Sequence, residues 1–496
     1  MAQDAASDST RQPGATGQRR RILIIHQNFP GQFRHIALHL QQSGAEVVGL
    51  GRETAPGLSN FNWFRYTLHR EVKADTHPYL RQMDAAVLHG QAVVRAFGEL
   101  KRKGFEPDTI LAHPGWGETL YAKDVFPHAR LIHFCEWYYS SEGADFGFDP
   151  EFPTTLDDAL RIRTWNALHL LNLENCDAAI APTHWQKSRF PAAYQDKICV
   201  VHEGIALDGL APDPQAVLRI APRSLPSSLP LVGEGLGERA IVEGGASAPG
   251  EGPALESAQH QLSFHAGQPL ITFVSRNLEP YRGFHRFMRA LPAVLRQHPS
   301  AQVLILGGDE VSYGSRPKDA ANWREKLLRE LTHPSPVTGE GQGERATDSI
   351  ADQNTNTLSP EHLNRIHFLG KLPYASYKKL LQVSAVHVYL SYPFVLSWSL
   401  LEAMASGCRI IASDTAPVRE VIRHNENGTL CDFFDSAQLA KQILNALADP
   451  QAGEPLRAQA RLDAQAYSLA RGLAGYEDVL RMVKNRKEVS GEGWSS

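Results

Sequence analysis

The chain has 496 residues, 42% hydrophobic and 21% charged, with a formal net charge of −4 at pH 7. That length exceeds one ordinary hydrophobic core and predicts two domains of soluble, globular composition. The charge balance gives no reason to expect a nucleic-acid partner, and the 5 cysteines are widely spaced with no Cys-x-x-Cys pair, which argues against a disulfide framework and against a zinc site of that kind.

In chain order, residues 1–20 are polar, small and Pro/Gly-bearing, and predict a disordered tail. They lack the apolar run of a secretory signal, and no segment reaches the roughly 18 apolar residues of a membrane span. With the sparse cysteines, this makes a reducing cytoplasm the expected location. The basic run Arg19–Arg21 is compatible with weak peripheral contact at an anionic lipid surface, although solvated charge is the commoner reading.

From Arg21 onward, β-rich runs alternate with helical stretches. The first half offers RILIIH, EVVGL, AAVLHG, TILAH, RLIHF, AAIAP and ICVVHEG, and the second LITFVSR, AQVLILGG, RIHFLG, VHVYLSY and CRIIASD. Near-continuous apolar strands separated by helices predict parallel sheets covered on both faces. Two doubly wound α/β domains are expected, over 21–215 and 266–470, with a linker region at 216–265 and a C-terminal helix and tail at 471–496. Phe284, Phe287, Met288, Leu291, Val294 and Leu295 fall on one face of a helix between two of the strands.

Two interruptions share a pattern. PLVGEGLGER (230–239) and PVTGEGQGER (336–345) both read Pro-x-x-Gly-Glu-Gly-x-Gly-Glu-Arg, while their flanks do not match. Neither has the Gly-x-Gly-x-x-Gly of a dinucleotide loop, and their composition buries too little apolar surface to order itself. They read as two copies of one inserted element, within low-complexity regions at about 222–262 and 333–358. Deleting both is expected to leave folding and activity nearly intact.

In open α/β sheets, ligands bind beyond the carboxyl ends of the strands. LITFVS is followed by Arg276 and, six residues on, Arg282. Two guanidiniums at one strand-to-helix turn can converge on a diphosphate, because Arg forms forked hydrogen bonds to phosphate oxygens. VLIL ends in GGDEVSYG, whose glycines permit close backbone approach. VHVYLSY ends in PFVLSW, which opens a helix and so offers N–H groups to an anion. Glu402 lies inside that helix among apolar and small residues. An unpaired buried carboxylate is expensive, so a protein donor or a ligand hydroxyl is expected to meet it. Three strand ends with phosphate-compatible groups point to nucleotide binding.

VSRNLEPYRGF, LPYASYKKLLQVSAVHVYLSYPF, SLLEAMASGCRIIASD and APVREVIRHNENGTL follow one another as in glycosyltransferase family 4, which the chain therefore resembles. HQNFPGQFRHIA and ICVVHEGIALD extend the likeness over most of residues 22–445. The resemblance implies the GT-B fold, two Rossmann-like domains facing a central cleft. It also implies retaining transfer of a sugar from a nucleoside-diphosphate sugar to a glycan, lipid-linked or small-molecule acceptor, without metal or added cofactor. Arg276 and Arg282 would contact the donor diphosphate, although the second position is more often Lys in the family. Backbone groups at Val395, Leu396 and Ser397 would hold phosphate and sugar. Glu402 matches the second glutamate of the family's Glu-x7-Glu motif and would bind ribose. Phe394 stands where the first glutamate belongs, which puts recognition of the transferred sugar in question.

In the first domain, Gly31 lies where the family has a glycine-rich loop near the diphosphate. His133 and Glu136, at the end of RLIHF, are candidates for contacting the reacting sugar or the acceptor, with a core histidine as the plainer reading of His133. HPGWGE (113–118) is a candidate acceptor lining, in which Trp116 offers either a flat surface for a sugar or a core ring. His35 and His39 have helical metal-ligand spacing but no evident third ligand. Two other readings stay open: a nucleotide-sugar epimerase on the same fold, and a nucleotide-binding or scaffold protein with a decayed site.

Overall fold

The computed structural model describes residues 19–220, 262–333 and 357–489. Apart from a residue or two at their edges, the tail expected at 1–20 and the insertions expected at about 222–262 and 333–358 lie outside the described residues. The chain divides into two compact units. One takes residues up to Ala206, Pro393–Val395 and Tyr467 onward; the other takes Leu207–Tyr392 and Leu396–Ala466.

The first unit is built on a parallel sheet of β1 (Arg21–Ile25), β2 (Glu46–Arg52), β3 (Trp63–Tyr66), β4 (Thr109–Ala112), β5 (Arg130–Phe134), β6 (Ala178–Ala181) and β7 (Ile198–Val200). Their order is β3-β2-β1-β4-β5-β6-β7. Leu23, Ile24 and Ile25 are wholly buried, as expected for a central strand covered on both faces. Ile24 pairs with Gly49 on one side and Leu111 on the other.

AAVLHG, expected as a strand, lies instead inside helix α2 (Arg81–Arg102), which follows α1 (Arg34–Gln42). Its buried positions Ala86, His89, Val93, Ala96 and Leu100 recur every three or four residues, so the helical period outweighs the short apolar run. The strand that fills this place in the sheet is β3. Its sequence, WFRY, carries a half-exposed edge pattern with Arg65 outward over the Trp63 ring, and it therefore lacks the apolar run of its neighbours.

In the second unit, β8 (Val217–Ile220) and β9 (Leu262–His265) form an antiparallel pair. The main parallel sheet comprises β10 (Leu270–Asn277), β11 (Gln302–Gly308), β12 (Ile366–Gly370), β13 (Val386–Tyr389), β14 (Ile410–Ser413) and β15 (Thr429–Cys431), in the order β12-β11-β10-β13-β14-β15. Helix α3 (Phe284–Gln297) buries the six apolar residues that the spacing selects. Helices α4 (Tyr374–Val383) and α5 (Trp398–Ala405) lead into β13 and β14.

The chain then returns to the first unit through α6 (Leu469–Val489). Tyr476, Val479 and Leu480 join the core layer of Ile22, Ile24, Ile36 and Leu40, and Glu477 pairs with Arg20 at 2.8 Å. Each unit is thus a Rossmann-like, doubly wound domain. In both, successive strands run outward to one side and then resume on the other. The reversal falls between β1 and β4 in the first sheet, and between β10 and β13 in the second. Loops at the carboxyl ends of those strand pairs diverge and leave a crevice, the usual ligand position in such sheets.

Candidate functional site

At the reversal in the second sheet, the β10 end carries both arginines. Arg276 lies in the last turn of the strand, exposed, with no hydrogen bond or ion pair to its guanidinium among the described residues. Arg282 closes a short 3-10 turn, Pro280–Arg282, ahead of Gly283. Its Nη1 donates to Ser391 Oγ at 3.0 Å, which ties the loop after β10 to the loop after β13 across the reversal. The Tyr313 ring lies 5.5 Å from the Arg282 guanidinium.

A carboxylate that the sequence reading passed over organises this corner. Glu279 is 1% exposed and accepts the backbone N–H groups of Ser312, Tyr313 and Gly314 at 3.0–3.2 Å. Asn277 Nδ2 donates to Ser312 Oγ at 2.8 Å. The GGDEVSYG segment is therefore anchored to the β10 loop. Only the pairing of β10 with β11 brings these stretches together, so no local pattern announces the role of Glu279.

After β13, Ser397 caps α5 by accepting the Ser399 N–H at 3.3 Å, and its own N–H donates to Tyr389 Oη at 2.9 Å. Of the three backbone groups expected at Val395, Leu396 and Ser397, that of Ser397 is thus already engaged by a phenol. Leu396 and Phe394 are buried, and no carboxylate stands at position 394.

Glu402, in the second turn of α5, is met by protein donors. Tyr374 Oη donates to its Oε1 at 2.9 Å and Tyr377 Oη to its Oε2 at 2.7 Å. Burial raises the Glu402 pKa, and the two phenols, Tyr377 first, oppose that rise.

In the first unit, the reversal gathers residues from three strand ends. His26, just past β1, is 4% exposed; its Nδ1 accepts the Asn28 N–H at 2.9 Å. Burial, with His113 adding to it, lowers its pKa to about 3, so the ring is neutral with its proton on Nε2. His113, after β4, accepts the Gly115 N–H at Nδ1 and therefore presents Nε2–H to Glu136 Oε2 at 3.2 Å. Gln32 Nε2 donates to Glu136 Oε1 at 3.4 Å, and Gln186 Nε2 to the Glu136 carbonyl at 2.8 Å. The rings of His26 and His113 lie 5.3 Å apart, and Trp116 stacks on His113 at 4.4 Å.

Gly31 is the residue that lets this cluster close. Its φ is +50°, and a Cβ there would come within 2.4 Å of His26 Nε2. Below lies a buried polar chain. Gln27 Nε2 is 3.3 Å from His89 Nε2, Tyr66 Oη is 2.8 Å from His89 Nδ1, and Tyr66 Oη donates to Glu118 Oε1 at 2.7 Å. Burial raises the Glu118 pKa to about 7, against the opposing Tyr66 hydrogen bond.

The structure thus brings together Gly31, Glu136 and the HPGWGE segment. His133 lies within β5 with its ring wholly buried, the setting of a core histidine, and burial, with His113 adding, lowers its pKa to about 3. His26 and His113 have the better claim to this edge. The signal for them was the point of strand reversal, which needs the strand order and not only the strands. His39 Nε2 lies 3.6 Å from Glu477 Oε1, a salt-bridge geometry between α1 and α6.

Residues 43–210 match the family described as "Glycosyl transferase family 4 group", and residues 353–467 match "Glycosyl transferases group 1". A phosphatidyl-myo-inositol mannosyltransferase of Mycolicibacterium smegmatis is 27% identical over 235 residues, 45% of this chain and 50% of that protein. An N-acetyl-alpha-D-glucosaminyl L-malate synthase of Bacillus anthracis is 32% identical over 129 residues, 25% and 33% of the two chains. This chain spans half or less of the length of these curated relatives. Among solved structures, sucrose-phosphate synthase of Thermosynechococcus elongatus superposes with a TM-score of 0.61 at 17% identity, covering 94% of this chain and 100% of the other. HepE of Anabaena, in complex with UDP and glucose, gives 0.56 at 15% identity, with 94% and 100% covered. At such identities the likeness is one of fold. Among the described residues, no helix is long and apolar enough to cross a membrane.

Proposed function

The chain belongs to the family 4 type of glycosyltransferases with the GT-B fold, and from that premise we propose that it transfers a sugar from a nucleoside-diphosphate sugar to a glycan, lipid-linked or small-molecule acceptor. The donor nucleotide would sit at the β10/β13 reversal of the second unit. As the glycosidic bond loosens, negative charge builds on the leaving diphosphate. Arg276, Arg282 and the start of α5 would stabilise that charge more in the transition state than in the ground state. Glu402 would receive the ribose. In the first unit, His113, Glu136 and Trp116 would face the sugar or the acceptor, with neutral His26 and Gly31 shaping the floor. Retention at the anomeric carbon and independence from metal are part of the same reading.

The observation that carries it is the Arg282–Ser391 hydrogen bond at the strand reversal, which holds a guanidinium and a helix-opening loop at one crevice. The donor class draws support from the Anabaena protein solved with UDP and glucose. Calorimetry with UDP and GDP on the full chain tests the nucleotide site, and saturable binding of one of them is expected. A folded protein that binds neither would overturn the proposal. A donor-panel assay with NMR of the product then reads the anomeric configuration.

Phe394 favours a second reading, nucleotide binding without transfer, because no carboxylate stands at that position to meet the transferred sugar. Nucleotide binding without turnover of any donor would select it.

A further inference from the structure

In the first unit, the helix Leu156–Asn175 buries Ile162, Asn166, Leu168, Asn172 and Leu173. Its opposite face is apolar as well. Leu156, Leu160, Leu170 and Leu171 are 76%, 47%, 38% and 52% exposed. A single exposed leucine is ordinary, but a helix that is apolar on both faces calls for a neighbour on each. Leu80 is also exposed and follows Tyr79, whose hydroxyl donates to Asp157 at the start of the helix, so it extends the patch.

The outward positions Leu156, Leu160, Arg163, Ala167, Leu170 and Glu174 recur at strict steps of four and three. That is the seam by which one helix packs against another, narrower than the broad apolar face with which a helix lies on lipid. Two charges interrupt it, one of each sign. Arg163 is exposed, with no hydrogen bond or ion pair among the described residues; Glu174 is exposed and accepts Tyr194 Oη at 3.3 Å. An antiparallel copy of the same helix sets these charges against each other. In that register Arg163 faces Glu174 and Ala167 receives Leu170, and two-fold symmetry repeats both contacts. Leu171 flanks them, while Leu156 and Leu160 overhang the second helix and widen the contact. We propose that two copies of the chain associate here, through antiparallel packing of their Leu156–Asn175 helices. None of these residues belongs to either crevice, so the inference stands apart from the sugar-transfer reading.

The test is analytical ultracentrifugation of the full chain over a wide concentration range, on the unaltered protein, on Arg163→Glu, on Glu174→Arg and on the double variant that exchanges the two charges. Both positions are exposed, so all four proteins are expected to fold, and thermal melts check it. The unaltered protein is expected to dimerise. Each single reversal sets like charges together twice and is expected to raise the dissociation constant by about 10-fold or more. The double variant is expected to recover most of that loss, which a merely disturbed surface would not do. A protein that stays monomeric, a dimer that survives either single reversal, or a double variant no tighter than the single ones overturns the proposal. Flotation with anionic phospholipid vesicles runs alongside. A monomer that floats with them, and no longer does so after Leu170→Asp, assigns the face to lipid and overturns the proposal equally.

Discussion

The Glu279 carboxylate accepts the Tyr313 N–H at 3.1 Å, and the ring of Tyr313 in turn lies over the Arg282 guanidinium. A buried acid therefore sets the position of a cation two links away. Glu279→Ala leaves three backbone donors without their acceptor, and the cost of unsatisfied buried groups is about 1–3 kcal/mol each, less where the loop can turn to water. The expected outcome is a clear drop in melting temperature together with weaker nucleotide binding. Glu279→Gln, which keeps one oxygen, is expected to fall between. Unchanged stability in both variants would count against the anchoring role.

Arg276 is exposed, so its removal is expected to leave the fold intact. Arg276→Ala is predicted to lower turnover by about 10²-fold, the scale of losing one donor to charge developing in a transition state. Steady-state kinetics beside a thermal melt separates this from unfolding. A folded variant with full turnover removes Arg276 from the site.

Gly31→Ala asks for a Cβ where the His26 ring already is, in a left-handed conformation that costs about 1–3 kcal/mol for most side chains. The substitution is expected to lower the melting temperature and to disturb the His26–His113–Trp116 cluster. Intact stability would mean that His26 swings away freely.

Glu118 supplies a pH signature. Its pKa rises from 4.5 to about 7 on folding, so between those values the folded state holds more protons than the unfolded one. Its contribution to stability therefore falls as pH rises through that window. Glu118→Gln keeps an oxygen for Tyr66 and removes the charge. Relative to the unaltered protein it is expected to show little change near pH 4 and a gain approaching about 3 kcal/mol above pH 8, since one pKa unit is worth about 1.4 kcal/mol. Denaturant melts across pH 4–9 check it; a pH-independent difference would contradict a carboxylate whose burial outweighs its hydrogen bond from Tyr66.

The central strands and the α3 face were legible in the sequence because burial on both sides writes itself as unbroken apolar runs, and burial on one side as a helical period. Edge strand β3 was hidden because it is half-exposed, and AAVLHG misled because six residues are too few to separate the two periods. The site divides in the same way. Arg276, Arg282 and Glu402 are visible from their place after strands or within a helix. Glu279, His26 and His113 gain their surroundings from strand order, and the tyrosine partners of Glu402 stand 25 and 28 residues earlier in the chain. Local spacing carries no record of such neighbours.

The return of α6 to the first unit has a consequence for biosynthesis. The core layer of Ile22, Ile36 and Leu40 is completed by Tyr476, Val479 and Leu480, more than four hundred residues downstream. At about 5–20 residues per second, a ribosome needs some tens of seconds to travel from Ala206 to the helix that seals the layer. Through that interval the first unit lacks the residues that complete this layer, so its packing finishes only once the last stretch of the chain is made.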